Sequence, residues 1–178
     1  MSDKYLASSL DLVETVFIEH ENSEEGRMVR SLVEEIRASE YYIPELELLM
    51  IEDDKPIGYV MFSRFDLEGK YSDELLILTP AAVKTELQRQ HISKDIIEYG
   101  FEKSREMGFR AVLVEGNPAN YHSCGFVTAM DNGIMPGKTV HLPHRDCLMV
   151  AELEKGALGA ITGTVEYSRD KCLTGGAD

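Results

Sequence analysis

The chain is short of positive charge. Its 178 residues carry 18 Lys and Arg against 32 Asp and Glu, giving a net charge of −14 and a pI of about 4.7. A surface this acidic repels nucleic-acid phosphates, which excludes a nucleic-acid partner. It suits a cationic partner such as an amine, although solubility alone is the simpler reading. Cysteine is scarce too. Cys124, Cys147 and Cys172 are odd in number and widely spaced, with no C-x-x-C pair. This excludes a disulfide framework and points to reduced thiols in a cytoplasmic setting. No apolar run approaches the length of a membrane span, and the opening MSDKYLASSLD does not read as a secretory signal. Repeats, linkers and low-complexity tracts are absent as well. What remains is 43% hydrophobic and 28% charged with a mean hydropathy of −0.21, enough to bury one core. The expectation is a single domain over residues 1–178, with 168–178 as a mobile tail.

Periodicity orders the rest. Asp11 to Glu19 is apolar and β-branched, and is expected to be a short strand. Ser23 to Ala38 reads as an amphipathic helix capped by Ser23, with Met28, Val29, Leu32, Val33 and Ile36 as its stripe. Glu45 to Glu52 and Pro56 to Ser63 form a hairpin around Asp53-Asp54-Lys55. After a polar loop over 66–73, Glu74 to Leu78 is a buried strand that continues past Pro80 into Val83. Pro80 cannot donate to a ladder, so it marks an edge, a bulge or a splayed strand end. Lys94 to Met107 is a helix stopped by Gly108, with Ile96, Ile97, Gly100, Phe101, Ser104 and Met107 on one face. Ala111 to Glu115 is a strand buried on both faces, parallel to the one before the helix. Pro118 to Ser123 is a short helix capped by Asn117 and ended by Gly125. Phe126-Val127 starts a strand, 131–145 is a long loop, Cys147 to Leu153 is a strand, and Ile161 to Tyr167 adds an edge strand. The fold class is α/β with a mixed sheet of about six to seven strands flanked by helices.

Chemistry concentrates at one strand-to-helix passage. The loop Gln88-Arg89-Gln90-His91-Ile92-Ser93 presents a guanidinium, two amides and several backbone N–H groups at a helix start, which suits an anionic diphosphate. Splaying at Pro80 would leave backbone groups unpaired, so an extended amide-bearing ligand could join like a strand. His141-x-x-His144-x-x-Cys147 has metal-like spacing, but a proline-containing loop explains it and no metal is expected.

Four segments in order carry a family resemblance. They are PELELLMIEDDKPIGYVMFS, LLILTPAAVKTELQRQHIS, FEKSREMGFRAVLVEGNPANYHSCGFVTA and GALGAITGTVEY. Together they resemble the GNAT superfamily of acyl-CoA-dependent N-acyltransferases, and within it a YhbS-like bacterial branch. The resemblance implies acetyl transfer from acetyl-CoA to a small-molecule or peptide amine by direct attack. It implies that Leu78, Ala81, Ala82 and Val83 accompany the thioester and pantetheine. Gln88, Arg89, Gln90, His91, Ile92 and Ser93 would surround the pyrophosphate, with Asn117 also on the cofactor. Tyr121, matching the family tyrosine of Y-x-x-x-G-F, would be the acid for the leaving thiolate; packing against Phe126 is its simpler role. Glu115, and less so Glu74, are candidates for the base. The family loop is Q/R-x-x-G-x-G/A, and here His91 and Ser93 replace the two glycines. A non-glycine residue in the left-handed region costs about 1–2 kcal/mol. A degenerate domain that binds CoA or a partner without turnover is therefore the alternative reading. Exposed edge strands leave a homodimer open.

Overall fold

The computed structural model describes residues 3–167. The expected mobile tail over 168–178, and with it Cys172, lies outside the described residues. The helices are α1 (Leu6–His20), α2 (Ser23–Arg37), α3 (Ile92–Glu106) and α4 (Pro118–Tyr121). The strands are β1 (Glu47–Glu52), β2 (Lys55–Leu67), β3 (Lys70–Val83), β4 (Ala111–Glu115), β5 (Val127–Thr128), β6 (Ile134–Pro136), β7 (Leu148–Glu152) and β8 (Gly163–Val165). Six of them form one mixed sheet in the order β1-β2-β3-β4-β7-β5, flanked by helices, and β6 pairs with β8 in a separate two-stranded sheet. Among the described residues no helix is long and apolar enough to cross a membrane.

Two compact units share the chain. Met1–Ser63 with Thr79–Gly100 makes the first, and Arg64–Leu78 with Phe101–Asp178 the second. The first unit opens with a correction. Residues 11–19 lie inside α1 and not in a strand, because Ser9, Leu10, Leu12, Val13 and Val16 are buried at helical spacing against α2. Tertiary packing of that stripe outweighs the weak β preference of its valines. The cap of α2 is Asn22 and not Ser23: its side chain accepts from the amides of Glu24 (2.8 Å) and Glu25 (3.0 Å). The β1–β2 hairpin closes on Asp53 and Asp54, both with positive φ (46° and 62°), the geometry of a tight two-residue turn.

A buried carboxylate ties this unit together. Glu47 on β1 accepts from Arg37 Nε (3.0 Å), from Tyr59 Oη (2.7 Å) and from Tyr42 Oη. Arg37 also donates to Ser9 Oγ (2.8 Å) and to the carbonyl of Leu6 (3.3 Å). The Glu47 side chain is fully buried, so α1, α2, β1 and β2 must all be docked before its charge is satisfied. Tyr59 is fully buried within this network. Helix α3 begins two residues earlier than expected and lies close on β2: a Cβ at Gly100 would overlap the ring of Phe62.

In the second unit the polar stretch expected as a loop over 66–73 is only a turn at Glu68 and Gly69 (φ 54° and 80°), and β2 and β3 extend into it. The parallel ladder joins Leu75, Leu76 and Ile77 of β3 to Ala111, Val112 and Leu113 of β4. β7 runs antiparallel to β4 and to β5. Phe65, Leu75, Leu113, Ile134, Val150 and Tyr167 belong to the apolar cluster behind these strands. Phe65 and Ile134 are therefore core residues. The long loop expected over 131–145 contains β6, whose three residues are too few to show a period in sequence. Met107, expected on the buried face of its helix, is exposed past the end of α3, and Gly108 (φ 90°) stops the helix as expected.

Candidate active site

Each unit holds part of the expected site. In the first, β3 leads through Ala81, Ala82 and Val83 into a single 3-10 turn over Thr85–Leu87, and then into the loop. Gln88 is extended (φ −64°, ψ 158°), whereas Arg89 (φ 63°) and His91 (φ 65°) are left-handed. Histidine is among the residues that enter this region more often than most. The expected positive φ at His91 is thus present without glycine. Ser93 and Ile92 are not loop residues; they form the first turn of α3, so the second family glycine has no dihedral need here. The helical ladder begins with the Asp95 amide donating to the His91 carbonyl (2.9 Å). The amides of Ile92, Ser93 and Lys94 precede that ladder and lie at the positive end of the helix dipole. Ile92 turns its side chain inward: a Cβ at Gly58 would come 2.8 Å from Ile92 Cγ2 and 2.7 Å from Ile96 Cδ1. This packing seats the helix start on β2 while Arg89, Gln90 and His91 stay exposed.

The loop has a second anchor. Gln88 Nε2 donates to the Val83 carbonyl (3.3 Å) and lies 2.7 Å from His20 Nε2 at the end of α1. Thr85 Oγ1 donates to Glu19 beside it. His20 has no counterpart in the sequence reading, which placed the preceding residues in a strand.

In the second unit Leu78 is the first residue of β3 beyond the ladder, which among the described residues ends at Ile77 and Leu113. β4 pairs with β7 along its whole length, Val114 with Met149 and Glu115 with Leu148. Asn117 caps α4 through the Ala119 amide (3.0 Å), with Pro118 at the first helical position. Tyr121 is half-buried, its ring edge-on to Phe126 at 5.6 Å. Burial, with a smaller contribution from Cys124, pushes its phenol up to about 12. Glu115 is exposed at the carboxyl end of β4, and its Oε2 accepts from Tyr167 Oη at 2.7 Å. Burial first, and then Glu115, push the Tyr167 phenol well above its ordinary value. Glu74 lies at the opposite end of the ladder, bound by Arg110, which also holds Glu154 (2.6 Å). The Glu74 carboxylate is engaged in that ion pair. His141 and His144 are exposed, and among the described residues no three His, Cys, Asp or Glu side chains gather to hold an ion.

Known proteins resemble this chain in sequence and fold. The sequence matches the Acetyltransferase (GNAT) family over residues 11–131. It is 32% identical over 155 residues to the uncharacterized N-acetyltransferase YjhQ of Escherichia coli strain K12, covering 86% of this chain and 82% of that one. It is 30% identical over 126 residues to the uncharacterized N-acetyltransferase YhbS of the same strain, covering 68% and 71% of the two chains. The crystal structure of E. coli YhbS in complex with CoA superposes with a TM-score of 0.75 at 25% identity, over 89% of this chain and 83% of the other. With a family match across more than half its length and a relative 32% identical over 86% of it, the chain belongs to the acetyltransferase (GNAT) family.

Proposed function

We propose that this protein moves the acetyl group of acetyl-CoA to a primary amine on a small molecule or peptide. The observation that supports it most is the loop backbone. Arg89 and His91 take the left-handed angles that favour glycine, and the amides of Ile92, Ser93 and Lys94 precede the helical ladder. The chain therefore keeps the anion-binding geometry without the glycines. In this reading Gln88, Arg89, Gln90, His91, Ile92 and Ser93 hold the diphosphate. Ala81, Ala82 and Val83 pair with the pantetheine amides, Leu78 offers its backbone amide to the carbonyl, and Asn117 contacts the cofactor. Bound acetyl-CoA supplies a thioester carbonyl already activated for attack. Glu115 takes the proton that an ammonium must lose to become a nucleophile. The nitrogen–carbon bond forms, the carbon–sulphur bond breaks, Tyr121 gives its proton to the departing sulphur, and the second proton lost by the nitrogen restores the phenol. The activity is read as that of one functional domain, in the cytoplasm.

Titration calorimetry with acetyl-CoA, followed by thiol release with putrescine and with lysine peptides, tests the reading. Saturable binding and release with at least one amine are expected. No heat and no thiol from any amine would return the chain to the alternative of a module without turnover.

A further inference from the structure

We propose that Tyr167 is a positioning residue for Glu115, delivered to the site by a C-terminal clasp that lies outside the family match. This rests on the reading of Glu115 as the base for the acceptor amine. Strand β4 ends at Glu115 and leaves that side chain exposed, where an unheld carboxylate would sample several rotamers. It is held instead: Tyr167 Oη donates to Oε2 at 2.7 Å. The phenol occupies one carboxylate oxygen and leaves Oε1 to receive a proton.

Tyr167 is itself fixed. Its ring is buried edge-on to Phe65, with centroids 6.3 Å apart, in the apolar cluster of the second unit. Its amide donates to Thr139 Oγ1 at 2.8 Å. The preceding residue, Glu166, accepts from the amides of Lys138 (2.9 Å) and Thr139 (3.0 Å) and from the Thr139 hydroxyl. Upstream, β8 lies parallel to β6, and the Gly137 amide closes onto the Val165 carbonyl at 2.8 Å. A three-residue strand alone would leave the position of residue 167 loosely defined; these bonds define it. Burial keeps the Tyr167 phenol protonated, so it acts as donor throughout. The charged group that acts on that phenol is Glu115 itself. The family match ends at residue 131, so every part of the clasp lies beyond it.

The test compares Tyr167→Phe, Glu115→Gln and the double variant in the full chain, by thiol release from acetyl-CoA with putrescine across pH. Tyr167→Phe is expected to lower kcat about tenfold and leave KM for acetyl-CoA unchanged, because the carboxylate loses the donor that fixes its orientation. The double variant should be no slower than Glu115→Gln alone. An acceptor-free measurement accompanies it: the carboxyl carbon resonance of Glu115, followed by NMR at neutral pH, should move in Tyr167→Phe. Thr139→Val, which keeps both phenol and carboxylate, should shift it in the same direction by less. No shift in either variant, or an equal loss of rate from Tyr167→Phe in the Glu115→Gln background, overturns the proposal. Full activity in Glu115→Gln, with the NMR shift still present, sinks the base reading and leaves the Tyr167 contact a structural one.

Discussion

His20 and Gln88 meet at 2.7 Å between their Nε2 atoms, so the last residue of α1 holds the first residue of the loop before α3. Gln88 also donates to the Val83 carbonyl, which makes this side chain the hinge pin between β3 and the loop. Replacing His20 by Ala removes one polar contact at an exposed site, a loss of about 1 kcal/mol. Binding of acetyl-CoA, measured by calorimetry, should weaken about fivefold, while the melting temperature changes little.

His91 and Ser93 make opposite predictions. His91→Gly relieves a left-handed dihedral and removes a Cβ beside the diphosphate, so affinity for acetyl-CoA should rise by up to about tenfold. Ser93→Gly places glycine inside the first turn of α3, where it costs about 0.5–1 kcal/mol and brings no dihedral relief. Its affinity should stay level or fall. Equal gains from both would mean that side-chain bulk governs the loop, and not its backbone angles.

Tyr121 sets a pH expectation. With its phenol near 12 it stays protonated across the neutral range and supplies no limb to the rate profile between pH 6 and 10. Tyr121→Phe should lower kcat by about a hundredfold at every pH in that interval, with both limbs unmoved. An unchanged rate would leave Tyr121 only its packing against Phe126.

Gly100→Ala sets two effects of opposite sign against each other. Alanine improves helix propensity by about 1 kcal/mol. The added methyl meets the Phe62 ring, and overpacking of this kind costs about 1–3 kcal/mol. Overpacking should win, and the melting temperature should fall.

Glu166 gives the clasp an acid limit. Bonds from the Thr139 hydroxyl and from the amides of Lys138 and Thr139 hold its carboxyl below the ordinary carboxylate range. A depressed folded-state pKa contributes stability above the unfolded value, and that contribution is lost as pH falls through the folded one. The amide resonances of Lys138 and Thr139 should therefore shift together on acidification, below the ordinary glutamate range. Glu166→Gln should abolish the transition.

Much of this was readable beforehand. β4, the Asn117 cap and the Gly108 and Gly125 stops depend on local chemistry, and they stand where the sequence puts them. The stretch over 11–19 misled because its valines favour strand locally, whereas their helical spacing acts only once α2 is there to cover it. β6 is three residues long, too short for any period, whereas β8 lies inside the strand expected over Ile161 to Tyr167. Within the site, the loop was visible as a motif. His20 and Tyr167 were not, because 68 residues separate His20 from Gln88 and 52 separate Glu115 from Tyr167.

The left-handed pair at Arg89 and His91 bears on how such loops are recognised. A pattern written in letters demands glycine and passes over this chain. One written in torsion angles accepts it, since what the diphosphate meets is a path of amides and not a residue name. Glycine is then the commonest spelling of the cradle. Other acetyltransferases with misspelt loops can be sorted by backbone geometry before any is set aside as inactive.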